Sequence, residues 1–207
     1  MYSPSYFRVQ SEAAVLRFMH AHPFVTIVGQ GQDGWPAISH IPVLIAVRNE
    51  QLYLQGHIQR KTDHHLSWAA HPQVTAVFTG PHSYVSASLY PQPNTASTWN
   101  YTAVHAKGYL QWQTDEWLLQ MLNELTAHFE QDPNSPAQMR HMTDEYVQTN
   151  VKAIVGFEIE VTELQHIFKL SQNKDAATQK RIAESLLQSA NEADRAVGKL
   201  MLQSLSS

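Results

Sequence analysis

Between Val155 and Val161 the chain alternates without a break: Val155, Phe157, Ile159 and Val161 are apolar, and Gly156, Glu158 and Glu160 lie between them. A period of two puts the first set on one face and the second on the other, so the stretch reads as a strand with one wet face. Such a strand needs antiparallel neighbours, and the sequence supplies them. Phe24 to Val28 reads as a strand, Pro36 to Val47 as a second, Leu52 to Gly56 as a third and Val74 to Phe78 as a fourth. Gly80-Pro81 reads as a turn, Ser83 to Ser86 starts another strand, and Trp99 to Leu110 resumes β-structure after a loop from Pro91 to Ser97. Pro42 lacks the N–H that a central strand donates, so it marks an edge, a bulge or a ligand-facing gap.

Helices surround these strands. One begins at Ser11 and stops at His22-Pro23, and a short one runs from the Arg60 region to His71-Pro72. Thr114 caps a third, with Trp117, Leu118, Met121, Leu122, Leu125 and Phe129 on one side. Ser135-Pro136 is expected to start a fourth, because proline suits a first helical position. Two more finish the chain, from about Asp175 and from Asn191. Six or seven short strands without regular βαβ alternation predict an α+β fold: a closed antiparallel barrel with peripheral helices.

Length and composition bound the answer. At 207 residues, with 43% hydrophobic and 15% charged residues, the chain is expected to be one folded domain, 1–207, with a C-terminal helical segment from about residue 174. The absence of cysteine excludes disulfides, thiolate metal sites and a cysteine nucleophile. Met1 to Pro4 shows no signal-peptide pattern, and the longest apolar run, Ile41 to Val47, is too short to span a membrane; a cytoplasmic protein is expected. The net charge of −4 and the lack of a Lys/Arg cluster leave no visible element that reads DNA.

Gly29-Gln30-Gly31-Gln32-Asp33-Gly34 matches a dinucleotide fingerprint by letters only. That fingerprint must open a helix, and here Trp35-Pro36 and another strand follow. The stretch reads as a hairpin turn, with Asp33-Gly34 supplying positive φ angles.

The stretch Gly56-His57-Ile58-Gln59-Arg60-Lys61-Thr62-Asp63 passes from a strand to a helix. Thr62 or Asp63 can cap that helix. Arg60 can grip a phosphate with two parallel charge-assisted bonds, and Lys61 adds a point charge beside a helix N-terminus that welcomes anions. Two solvated cations at a helix entry are the plainer reading of the same local pattern. The twelve histidines do not form a metal motif. His64 and His65 point about 100° apart on a helix, and no HExxH or carboxylate set is present, so no metal site and no catalytic group is expected.

The residues together resemble the PaiB-like family of FMN-binding proteins, which are described as negative transcriptional regulators and are relatives of pyridoxamine phosphate oxidase-like flavin proteins. The matching stretches are Ala21 to Phe24, Ser39 to Pro42, Gly56 to Arg60, Gly80 to Ser86, Thr98 to Gly108, Gly156 to Ile159 and Lys169 to Asn173. The Trp99-Asn100-Tyr101 run and Lys169-Leu170-Ser171-Gln172-Asn173 are the most specific. Ala87 and Leu89 depart from the pattern, standing where the family carries Pro and Trp. The resemblance implies a split barrel, a homodimer and an FMN at the subunit interface.

It implies that Arg60 and Lys61 hold the FMN phosphate and that Ser39, His40, Ile41, His57 and Ser86 line the site. Trp99 would stack on the ring and Asn100 would meet its polar edge. Lys169, Ser171, Gln172 and Asn173 would contact the flavin from the partner subunit. The function implied is FMN binding by a transcriptional regulator that acts through redox sensing or a partner. An NAD(P)H-dependent flavin oxidoreductase with a small redox donor is the alternative, and a haem-handling barrel a lesser one. The residues alone leave open whether the protein is an enzyme.

Overall fold

The structure is a computed structural model, and it describes residues 1–9, 11–92 and 94–205. Pro93, inside the predicted loop, and the last two residues of the predicted domain lie outside the described residues. Among the described residues there are seven strands: β1 (Phe24–Gln30), β2 (Pro36–Pro42), β3 (Leu44–Arg48), β4 (Gln51–Gln59), β5 (Gln73–Val85), β6 (Thr98–Trp112) and β7 (Ile154–Lys169). Six α-helices accompany them: α1 (Glu12–Ala21), α2 (Asp63–Ala70), α3 (Asp115–Glu130), α4 (Asp144–Val151), α5 (Ala176–Leu187) and α6 (Glu192–Leu205).

The strands form one sheet in the order β2-β1-β5-β6-β7-β4-β3. The registers of β1 with β2 and β5, β3 with β4, and β4 with β7 are all antiparallel. The order ends at β2 and β3 rather than closing on itself, so the fold is an antiparallel split barrel with peripheral helices. The closed barrel read from strand pattern alone is corrected; the split barrel implied by the family resemblance is what forms. Pro42 ends β2, an edge strand, where its missing N–H costs no ladder bond.

The chain divides into two compact units. One comprises Met19–Phe78 and His105–Leu164. Its core gathers Val25, Ile27, Leu54, Trp68, Ala76, Phe78, Phe157 and Ile159, all fully or nearly fully buried. The other comprises Met1–Phe18, Thr79–Val104 and the chain from Gln165 onward, with Phe7, Val85, Ile167, Ile182, Val197 and Met201 inside. In this second unit α5 and α6 pack together. Asp194 on α6 accepts hydrogen bonds from Ser83 Oγ (2.6 Å) and Ser189 Oγ (2.7 Å).

Several boundaries differ from the sequence reading. Val43 splits the predicted second strand into β2 and β3; it is 1% exposed and its N–H donates to Pro23 O (2.9 Å). Gly80-Pro81 is no turn: β5 runs straight through it. Gly80 is needed because a Cβ there would lie 2.3 Å from Thr102 Oγ1 and 2.5 Å from the Phe18 ring. The hairpin turn is confirmed, but only Gly34 takes a positive φ (84°), while Asp33 Oδ1 accepts from Trp35 N instead (3.1 Å).

No helix starts at Ser135. Ser135 Oγ donates to Glu130 (2.6 Å), and Gln138 Nε2 donates to Asp132 O (2.8 Å). These local bonds compete with helix formation, and α4 begins only at Asp144, where the Thr143 hydroxyl accepts from Tyr146 N. Finally, β7 extends eight residues past Val161 in one strand.

Candidate functional site

The predicted site residues fall into two groups, one in each unit, and each is described by itself.

The first group centres on the corner between β4 and α2. The helix cap is Thr62: its Oγ1 accepts from His65 N (3.4 Å) and donates to Gln59 O (2.9 Å). Lys61 sits at φ 63°, in the left-handed region. For a side chain with a Cβ that conformation costs of the order of 1–3 kcal/mol. The turn holds because Lys61 N donates to His65 Nδ1 (3.0 Å) and Arg60 N donates to Ala153 O (2.8 Å). The His65 ring is set edge-on to Trp112, with centroids 4.7 Å apart.

Arg60 is already engaged. Its Nε donates to Ile154 O (2.6 Å) and its Nη2 to Asp115 Oδ1 (2.5 Å), at the first residue of α3. Its side chain is 31% exposed and that of Asp115 is 58% exposed, so the pair is solvated and contributes about 0.2–1 kcal/mol. Among the described residues no acceptor is bonded to the other terminal nitrogen, and Lys61 has no carboxylate partner. Asp115 was legible only as a helix-start residue, since a spacing of 55 residues leaves no local signal.

The other predicted members of this unit differ in accessibility. His40 on β2 is exposed; its Nδ1 lies 3.1 Å from Thr26 Oγ1 and its ring stacks on Phe24. Ser39 is half-buried, opposite Ile27. Ile41 is 4% exposed, so only its backbone can face a ligand. His57 on β4 has a buried Nδ1 with no hydrogen-bond partner in the structure, as does the indole N–H of Trp112.

Burial holds the His57 imidazole below its ordinary value of 6.5. Burial does the same to His65, helped by the Arg60 charge and then by His64. The unfolded chain therefore takes up protons on these rings before the folded protein does. Stability is full above about pH 6.5 and is lost as pH falls through the lowered folded values. We expect the melting temperature to fall on acidification from about pH 7 to pH 5. His57→Gln removes part of that slope. An unchanged slope in that variant would show that His57 does not carry the effect.

The second group surrounds the start of β6 and the end of β7. Asn100 is fully buried and Ser171, at φ 66°, is 3% exposed. They satisfy each other: Asn100 Nδ2 donates to Ser171 Oγ (2.9 Å), with Ser171 Oγ 3.1 Å from Asn100 Oδ1, and the same amide reaches Met201 Sδ (3.4 Å). Gln172 folds back on its own turn, accepting from Leu170 N (2.7 Å) and donating to Phe168 O (2.5 Å). Three predicted polar residues therefore spend their hydrogen bonds on holding this turn. Ser86 likewise caps a short 3-10 turn, accepting from Ser88 N (3.2 Å).

Trp99 is 52% exposed and lies between His82 and Tyr84, with centroids 6.1 and 5.9 Å away. Three rings thus share one accessible face, although only Trp99 was anticipated. Beside them, Lys169 Nζ donates to Thr98 Oγ1 (2.5 Å). A cavity of about 280 Å³ opens there, lined by Phe7, Tyr90, Thr98, Lys169, Asn173 and Lys174 among others. Lys174 and Tyr90 were missed; Lys174 directly follows the predicted Lys-Leu-Ser-Gln-Asn run. Among the described residues no group of three or more His, Asp or Glu side chains is placed to hold a metal ion, and no helix is long and apolar enough to cross a membrane.

Comparison with known proteins supplies the family. Residues 1–163 match the family model described as "Putative FMN-binding domain". The chain is 29% identical over 201 residues to "Protease synthase and sporulation protein PAI 2" of Bacillus subtilis, covering 97% of this chain and 96% of that one. Among solved structures, the flavocytochrome Anf3 from Azotobacter vinelandii shares the fold at a TM-score of 0.59 and 12% identity, over 84% of this chain and 79% of that one. The FAD and heme binding protein from Mycobacterium smegmatis does so at 0.55 and 15%, over 83% and 77%.

Proposed function

The chain belongs to the FMN-binding family whose model spans residues 1–163, with FMN as its cofactor, and from that premise we propose that Arg60 and Lys61 hold the FMN phosphate in a regulatory protein. The observation that carries this is the corner itself: two adjacent cations, one in a strained left-handed turn, at the hand-over from β4 to the capped α2. The residues fit the group in kind. Among the described residues Lys61 and one Arg60 nitrogen have no acidic partner, and a phosphate would complete the guanidinium fork.

On this reading each residue has a defined task. Arg60 orients the phosphate through charge-assisted bonds, and the backbone bonds to Ala153 and Ile154 hold its arm in place. Lys61 adds charge without geometry. The Trp99 face, with His82 and Tyr84, offers the flat apolar surface that a flavin ring needs, and we assign it to the FMN of a second protomer in a homodimer. When bound, FMN supplies reversible electron transfer. The regulatory part of this reading is supported by similarity to the "Protease synthase and sporulation protein PAI 2" of Bacillus subtilis. It is tested by comparing promoter with random DNA, using protein with oxidised and with reduced flavin. NADH oxidation faster than that of free FMN would favour the oxidoreductase instead.

The phosphate assignment has a direct test. Asp115 competes for the same guanidinium, so Asp115→Asn should tighten FMN binding a few-fold, by up to about 1 kcal/mol. An FMN titration that shows no gain, or a loss, would mean that the phosphate does not meet Arg60.

A further inference from the structure

We infer that the cavity between the β3–β4 edge and α3 binds a free α-amino acid with an apolar side chain. This site stands apart from the FMN assignment and uses none of the residues named for it.

The cavity holds about 260 Å³ and is lined by Arg48, Gln55, Trp117, Gln120, Met121 and Glu124. All six belong to the same compact unit. Pockets for drug-sized ligands span roughly 300–1,000 Å³, so this one suits a smaller molecule.

Behind the cavity lies a buried carboxylate. Glu158 on β7 stands opposite Gln55 on β4. It accepts from Arg48 Nη2 (2.5 Å) and from Gln55 Nε2 (2.9 Å). The Arg48 guanidinium also lies 4.0 Å from the Tyr53 ring centroid. Two contacts therefore fix the arginine before a ligand arrives, which lowers the ordering cost of binding. Glu158 is bonded to one guanidinium nitrogen, and a guanidinium carries five N–H donors. Gln55 turns its amide N–H to Glu158, and its carbonyl oxygen is an acceptor.

The facing wall is α3. Gln120 and Glu124 stand one turn apart, and Gln120 Nε2 donates to Glu124 Oε1 (2.9 Å). The Glu124 carboxylate has capacity for a further donor. Trp117 and Met121, also one turn apart, form the apolar part of the wall. Met121 is buried, and the Trp117 ring presses on β7: a Cβ on Gly156 would lie 3.0 Å from it.

Charge selects the ligand class. A simple anion at Arg48 would meet the carboxylates of Glu158 and Glu124, and a simple cation at Glu124 would meet the guanidinium. A zwitterion satisfies both walls. Its carboxylate bonds to Arg48, and its ammonium sits between Glu124 and the Gln55 carbonyl. Trp117 and the adaptable Met121 then take an apolar side chain.

The test is calorimetric titration of the full chain with L-leucine and L-methionine, and with N-acetyl-L-leucine and L-leucinamide. We expect saturable uptake of at least one amino acid with a Kd below about 1 mM, unchanged by saturation with FMN. The acetylated acid and the amide each lack one of the two charges and should bind at least tenfold more weakly. Glu124→Gln and Arg48→Met should each weaken uptake at least tenfold, and Glu116→Gln, on the same helix outside the cavity, should not. Arg48→Met strips a buried carboxylate of its partner, so where melting curves show that variant unfolded the exposed Glu124→Gln decides. Uptake of neither amino acid up to about 10 mM, equal binding of either analogue, undiminished binding in Glu124→Gln, or competition with FMN would each overturn the assignment. Failure of the FMN reading looks different: no flavin uptake, with the amino acid isotherm intact.

Discussion

Arg60→Ala is expected to weaken FMN binding by about 10- to 150-fold. Hydrogen bonds to a charged partner are worth about 1.5–3 kcal/mol, and each 1.4 kcal/mol is a factor of ten in affinity. The loss is offset only slightly by release of Asp115, because that pair is solvated and weak. The exposed His40 is worth far less, and no single His→Ala change should match the arginine. A second readout is independent of the flavin. The Arg60 charge helps to hold the His65 imidazole below its ordinary value, so in Arg60→Ala that ring should titrate at higher pH by NMR. Equal FMN retention in the arginine and histidine variants would place the phosphate elsewhere.

Trp68→Ala is expected to cost about 3–5 kcal/mol, or roughly 6–20 °C in melting temperature for a chain of this size. Only Ser67 and Trp68 are buried on α2, so the indole is the one large anchor of that helix. It lies over Gly29 of β1, where a Cβ would fall 2.4 Å from Nε1. Without the anchor α2 loosens, and the turn carrying Arg60 and Lys61 loosens with it, so FMN affinity should fall as well. The indole N–H has no hydrogen-bond partner in the structure. Trp68→Phe therefore loses volume but no bond, and should cost less than about 2 kcal/mol. A phenylalanine variant as unstable as the alanine one would show that the N–H is satisfied after all.

The fold was legible where local pattern and tertiary demand agree. The alternation from Val155 to Val161 marks a strand, but its second face is not wet as expected: Gly156 and Glu158 are buried too, with Glu158 bonded to Arg48 and Gln55. The rest of β7, Thr162 to His166, has no such pattern. It is strand because it belongs to a ladder with the long β6. Gly80-Pro81 reads as a turn from composition, yet Gly80 serves the close approach of Thr102 and Phe18. Thr114 was readable as a cap, and Asp175 and Asn191 as helix starts, because capping is a local event; all three do cap their helices.

The candidate site was legible in part. The position of Arg60 and Lys61 between a strand and a capped helix could be read from eight residues. The partnership with Asp115 could not, because the fold alone joins them. The family motifs flagged Asn100, Ser171 and Gln172 as flavin contacts, whereas their hydrogen bonds hold a turn in this structure. A buried amide–hydroxyl pair gives these residues a structural role beside any contact with a ligand. Lys174 and Tyr90 gave no signal, since a cation beside an aromatic ring is visible only once the loop has folded.

The most direct measurement is an FMN titration of freshly purified protein, read by its visible absorption spectrum. Oxidised-flavin bands on purification, or tight saturable uptake that Arg60→Ala weakens at least about tenfold, is the expected result. A colourless protein that takes up no FMN while remaining folded would contradict the assignment of this barrel to flavin.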